Sequence, residues 1–156
     1  MITTREAVAA DVPVLHAMLL TLARHDGGSK VGSPETLLRH GFGRRPLFRA
    51  ILAERGDEAL GMVIFYPDYS THRGEPGLYV QDIWVEEAAR GFGLGKRLLA
   101  AAQGVGRADW GSAYVTLGVD PANAQARAVY ARLGFRARGY EFLILDGAGL
   151  AEVEAT

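Results

Sequence analysis

The run Arg90-Gly91-Phe92-Gly93-Leu94-Gly95-Lys96 follows a strand-like stretch ending Ile83-Trp84-Val85 and leads into an apolar-periodic segment with Leu98 and Leu99. A glycine-rich turn at a helix start can cradle an anion. The first backbone N–H groups of a helix have no intrahelical partner and lie at the positive end of its dipole. Glycines at alternate positions permit φ > 0 and let a ligand come close to the backbone. Phosphate binding is the chemistry this arrangement suits, although a ligand-free strand-to-helix turn uses the same residue types. Two common phosphate loops do not fit. A dinucleotide fingerprint needs glycine where Lys96 stands, and a Walker A loop needs Ser or Thr where Arg97 stands.

A second chemical set is Asn123, Ala126 and Tyr130. Asn123 lies near an expected helix start, where its amide can cap the helix or bond a ligand. Ala126 and Tyr130 are four residues apart and share one helical face. Gly134 suits the position just past the helix. Taken singly, Asn123 is as well read as a plain cap and Tyr130 as a packing residue.

Together, the two segments resemble the signatures of the GNAT superfamily of acyl-CoA-dependent N-acyltransferases. Arg90, Gly93 and Gly95 match its Gln/Arg-x-x-Gly-x-Gly/Ala pattern, and Asn123, Ala126, Tyr130, Gly134 and Phe135 match its Asn-x-x-Ala-x-x-x-Tyr-x-x-x-Gly-Phe pattern. The stretches 41–54 and 78–95, and more loosely Leu22 to Asp26, are similar to the diamine (spermidine/spermine, thialysine) N-acetyltransferases. The resemblance implies transfer of acetyl from acetyl-CoA to a primary amine of a small molecule, directly within a ternary complex and without a metal. It implies that the backbone of Ile83, Trp84 and Val85 pairs with pantetheine, and that Arg90, Gly91, Phe92, Gly93, Leu94, Gly95 and Lys96 hold the pyrophosphate. Asn123 and Ala126 would contact the cofactor arm, with room beside the small Ala126 for the thioester. Tyr130 would protonate the leaving thiolate. His25, Asp26, Gln81 and Asp82 occupy the family's substrate side.

One position departs from the family, which has Glu followed by Asp where this chain has Gln81-Asp82. A base is needed, because an alkylammonium is mostly protonated at neutral pH, and a glutamine cannot serve. A carboxylate base is therefore expected at Asp82, directly or through water; a strand-end hydrogen bond is the other use of that side chain. With Asp26, Asp68 and Asp82 the local acids, the expected acceptor is a shorter or less cationic amine than a long polyamine: a diamine, a lysine-like amino acid or thialysine. Two other readings stay open. One is acetylation of a protein amine. The other is a non-catalytic acyl-CoA-binding or sensing module, which Gln81 favours and the intact Asn123 and Tyr130 oppose. The resemblance also implies a homodimer formed through C-terminal strands, with Phe142 to Leu145 the apolar candidate.

These residues must be positioned by a small scaffold. At 156 residues the chain reads as one domain over 1–146 with a polar tail over 147–156. A net charge of −1 without a basic stripe points away from nucleic acid. The absence of cysteine excludes disulfides, thiolate metal sites and a cysteine nucleophile. No apolar run approaches the ~20 residues of a membrane span, and charges precede any apolar stretch at the start, so a cytoplasmic location is expected. His16, His25, His40 and His72 show no ligand spacing.

Periodicity predicts a strand at Ile2 to Ala7, a helix from Asp11 through Leu22, and a short helix entered at Ser33-Pro34. It predicts a hairpin of Phe48–Glu54 with Ala59–Tyr66, a loop over Pro67 to Pro76, and a strand from Gly77 to Val85. A helix to about Val105, a strand at 113–118 and a helix at 123–132 follow, with a final strand pair near Phe135 and Tyr140–Leu145. The expected class is α/β (α+β): a mixed, mainly antiparallel sheet flanked by helices.

Overall fold

The computed structural model describes all residues from Met1 to Thr156. It divides into two compact units, Met1–Gly118 and Val119–Thr156.

The first unit is a five-stranded sheet in the order β1 (Ile2–Glu6), β2 (Arg49–Arg55), β3 (Glu58–Ser70), β4 (Glu75–Val85) and β5 (Val115–Leu117). The first three pairings are antiparallel and β4–β5 is parallel. Three helices complete it: α1 (Val12–His25), α2 (Pro34–Phe42) and α3 (Leu94–Trp110). The α/β class with a mainly antiparallel sheet is as the sequence leads one to expect. On one sheet face Leu15, Met18 and Leu19 of α1 pack with Ala50, Leu52, Met62, Ile64 and Trp84. On the other, α3 buries Leu94, Leu98, Leu99 and Ala102, and Trp110 meets the Phe65 ring at 6.4 Å. Ser33 caps α2, accepting from the Thr36 N–H at 3.2 Å.

Three expectations are corrected here. The stretch from Pro67 to Pro76 is not a loop: β3 runs on to Ser70 and β4 begins at Glu75. Pro67 is tolerated because its strand asks nothing of the missing N–H. It faces Leu78, whose N–H is given instead to the Tyr114 carbonyl at 2.8 Å, and β2 has already ended opposite Phe65. Second, α3 continues past Val105 to Trp110. Gly106 does not break it, because a side chain there would press on Leu78, Ser112 and Trp110; the glycine allows close helix–sheet contact. Gly111, at φ 73°, ends the helix.

The third correction lies in the second unit. No strands form near Phe135 or over Tyr140–Leu145, which carry no regular structure. A strand needs a neighbour to satisfy its backbone, and the five-stranded sheet does not extend to these residues. The unit holds two short helices, α4 (Ala124–Arg132) and α5 (Gly147–Glu154), the latter within the segment read as a tail. The end of α4 is a Schellman closure. Gly134 has φ 97° and donates to the Ala131 carbonyl, Phe135 donates to the Tyr130 carbonyl at 2.9 Å, and the Tyr130 and Phe135 rings meet at 5.5 Å. Tyr130, Gly134 and Phe135 thus have a local structural reason for their spacing.

Candidate active site

β4 carries a bulge, and the bulge decides where the carboxylate goes. Ile64 lies opposite Asp82 and Phe65 opposite Val80, so Gln81 is the extra residue. Strict alternation would place Leu78, Val80, Asp82 and Trp84 on one face. Instead Val80 shares the face of its partner Phe65 and α3, whereas Asp82 shares the face of Ile64, Trp84 and α1. The expelled Gln81 is exposed, and its Oε1 accepts from the Tyr66 hydroxyl at 3.0 Å. Burial, with Tyr79, Asp68 and Asp82 nearby, raises the Tyr66 phenol above its ordinary range, keeping it a donor.

Asp82, turned toward α1, lines a cavity of about 300 Å³. Leu19 and Leu22 of α1, Val31 from the following loop and Leu37 of α2 give it apolar walls, while Asp26 and Lys30 bring further charges. The volume is at the lower end of the range for small-molecule sites, about 300–1,000 Å³. Burial raises the Asp82 carboxyl above the usual aspartate range, and the like charge of Asp26 adds to this. A carboxylate so shifted is a better proton acceptor than a solvated one. Asp26 follows α1 directly, its Oδ1 3.5 Å from His25 Nδ1. The His25 ring stands edge-on to Trp84 at 5.5 Å, and the Trp84 Nε1–H is buried without a partner.

Beyond the bulge, β4 has a strand on one side only, since β5 pairs with Leu78 to Val80 and stops. Glu86 donates to the Leu60 carbonyl at 2.9 Å. Antiparallel alternation then directs the backbone of Trp84 toward β3 and that of Ile83 and Val85 outward. Trp84 itself is a core residue by its side chain, 7% exposed. The outward Val85 carbonyl accepts from Arg90 Nε at 3.0 Å, and the Arg90 guanidinium lies 4.7 Å from the Trp84 ring centre.

The glycine turn opens α3. Gly91 and Gly93 have φ 84° and 73°, and around Gly91, Gly93 and Gly95 a side chain would meet nothing within 4 Å. The space above this backbone is open, and Phe92 is exposed beside it. Leu94 points inward to the core. The first turn of α3 holds Lys96 and Arg97 and no acid, an unfavourable charge pattern at the positive end of a helix unless an anion is nearby. Arg97 is engaged by the Ile2 carbonyl at 2.6 Å; Lys96 is exposed. These residues fit a cofactor with a diphosphate and an extended amide-bearing arm, the one for the turn and the other for the free edge of β4.

In the second unit, Asn123 is the N-cap of α4 and its Oδ1 accepts from the Ala126 N–H at 3.1 Å. Its amide NH2 remains a donor. Ala126 and Tyr130 are both partly buried on one face of α4. No group of three His, Asp or Glu side chains is placed to hold a metal ion. Lys30, Tyr66 and the α1–α2 walls of the cavity were not foreseen. They belong to no motif and reach Asp82 or Gln81 only through the fold.

An open-edged β4 running into a glycine turn on α3 defines a class of cofactor-binding fold, and comparison with known proteins identifies it. The sequence profile of the Acetyltransferase (GNAT) family matches residues 17–135. The chain belongs to that family of acetyl-CoA-dependent acetyltransferases. It is 30% identical over 164 residues to a thialysine N-epsilon-acetyltransferase of Sus scrofa, spanning 96% of this chain and 95% of the relative. It is 31% identical over 104 residues to the Homo sapiens spermidine/spermine N(1)-acetyltransferase-like protein 1, covering 61% of this chain and 15% of that protein. An aminoglycoside N-acetyltransferase solved in complex with CoA has the same fold, with a TM-score of 0.76, 18% identity, and coverage of 92% of this chain and 93% of that one.

Proposed function

We propose that the chain is an N-acetyltransferase acting on the primary amine of a small molecule of the diamine, polyamine or lysine-like class. The observation that carries the reading is Asp82: a carboxylate raised in pKa, in a small cavity, on the strand that leads into the glycine turn. The similarity to thialysine and spermidine/spermine-type relatives supports the choice of acceptor class. Bound acetyl-CoA supplies the acetyl group as an activated thioester. Ile83 by its outward N–H and C=O, and Val85 by its N–H, would hold its arm, and the backbone from Gly91 to Gly95, with Arg90 and Lys96 beside it, would hold its diphosphate. The family resemblance assigns Asn123 and Ala126 to the same arm. Asp82 would take a proton from the acceptor ammonium, and the freed lone pair would attack the thioester carbonyl carbon. As the C–S bond breaks, the family resemblance makes the Tyr130 hydroxyl the proton donor to the departing sulfur, and the proton that the acylated nitrogen then loses restores it. Holding amine and thioester together supplies a large share of the acceleration.

We further infer a homodimer. Its support is the exposed apolar run Phe142, Leu143, Ile144 and Leu145, between 55% and 90% accessible, which a second copy would cover. Release of free thiol from acetyl-CoA, followed with putrescine, spermidine, lysine, thialysine and a short peptide, tests the activity. Turnover with the free amines and not the peptide is expected, and turnover confined to the peptide would replace the acceptor class. Sedimentation velocity reads the oligomeric state, and a monomer at micromolar concentration would remove the dimer.

A further inference from the structure

One lysine is among the residues that line the cavity beside Asp82. Lys30, in the loop between α1 and α2, lines it together with Asp26 and Asp82. None of the ion pairs in the molecule involves Lys30, so its ammonium is not neutralised by either carboxylate within 4 Å. A cavity built for a purely cationic acceptor has no use for such a charge. An ammonium-only ligand would be attracted by Asp26 and Asp82 and repelled by Lys30. A ligand carrying ammonium groups and an anionic group would meet all three charges favourably.

We infer that Lys30 is a specificity-determining residue that binds an anionic group of the acceptor, so that the site selects an amine carrying a carboxylate over the corresponding diamine. This rests on the acetyltransferase reading of the Asp82 cavity. The three charges suit a diamino acid. Its distal ammonium lies at Asp82 for deprotonation, its α-ammonium faces Asp26, and its carboxylate faces Lys30. The apolar walls from Leu22, Val31 and Leu37 accept the methylenes between them. Lysine ammonium binds such a group as a point charge on a flexible stem, and Lys30 is exposed on its loop.

The test compares acceptors that differ only in the carboxylate: L-lysine against pentane-1,5-diamine, and L-ornithine against putrescine. Steady-state thiol release is measured on the full chain and on Lys30→Gln and Lys30→Glu, with calorimetric binding of the same four compounds alongside. The wild type is expected to favour the amino acid of each pair. Lys30→Gln should lower kcat/KM for the amino acids about tenfold or more, the scale of a charge-assisted hydrogen bond, and should raise it for the diamines. Lys30→Glu should reverse the preference. A wild type that favours the diamines, equal effects of Lys30→Gln on both members of a pair, or binding of none of the four would overturn the role of Lys30. Binding of the amino acids that depends on Lys30 without any acetyl transfer would support Lys30 and overturn the acetyltransferase reading instead.

Discussion

The two units of the chain are built on different terms. Met1–Gly118 holds every buried apolar residue, including Phe65, Met62 and Ala53 at 0% exposure. Val119–Thr156 buries none fully, and α4 has an Asn123 cap at one end and a Schellman closure at the other. A nine-residue helix such as α4 is marginal by itself. The proposed base, Asp82, therefore stands on a packed sheet, while the proposed acid, Tyr130, stands on a short helix capped at both ends.

The sharpest way to test this contrast is at Asp82. Asp82→Asn is expected to lower kcat/KM about 10²–10⁴-fold, the usual worth of a general base, and to abolish the acidic limb of the pH–rate profile. That limb rises with pH, because only the ionised carboxylate accepts a proton, and it should lie above the ordinary aspartate range. The same variant should melt higher at neutral pH. With its folded pKa raised, Asp82 holds its proton more tightly in the folded than in the unfolded chain. Stability is lost as pH rises from the unfolded toward the folded value, and the cost persists above it. Calorimetry showing a lower melting temperature for Asp82→Asn would mean that the carboxylate instead makes a stabilising bond.

Truncating the first unit's core comes next. Phe65→Ala should cost about 3–5 kcal/mol in urea unfolding, whereas Phe142→Ala, at a site 77% exposed, should change monomer stability by no more than about 0.5 kcal/mol. Comparable losses would erase the distinction between the units. Tyr130→Phe keeps the ring contact with Phe135 and removes only the hydroxyl. It should cut kcat about 10²-fold with little change in acetyl-CoA affinity, and equal losses in both would assign Tyr130 to packing. Gly93→Ala forces a side chain into φ 73°, at about 1–2 kcal/mol, and should raise the KM for acetyl-CoA more than Gly95→Ala, where φ is ordinary. The smallest effect expected is from Asp26→Asn: removing the like charge lets the Asp82 pKa fall, so the acidic limb moves to lower pH.

Much of this was legible in the residues, and the reason is that it is local. The Ser33 cap, the glycine start of α3, the Asn123 cap and the closure at Gly134-Phe135 depend on neighbours within a turn or so. Short-range hydrogen bonding and φ preferences suffice to specify them. Periodicity likewise conveyed the α/β class and the order of the elements through β5. It failed where long-range pairing decides: Pro67 sits inside a strand because of what lies beside it, and Tyr140–Leu145 is apolar enough for a strand yet has no ladder to join.

The chemistry of Asp82 falls on the tertiary side of that line. The sequence by itself determined that a carboxylate follows Gln81 and precedes a glycine-rich helix start. Only the pairing of β4 with β3 expelled Gln81 and turned Asp82 from the face of Val80 to that of Trp84, where α1 and the loop after it bring Asp26 and Lys30 to the same cavity. A bulge is a mismatch between two strands, so neither strand's sequence contains it alone. The raised pKa follows from the burial that the mismatch produces.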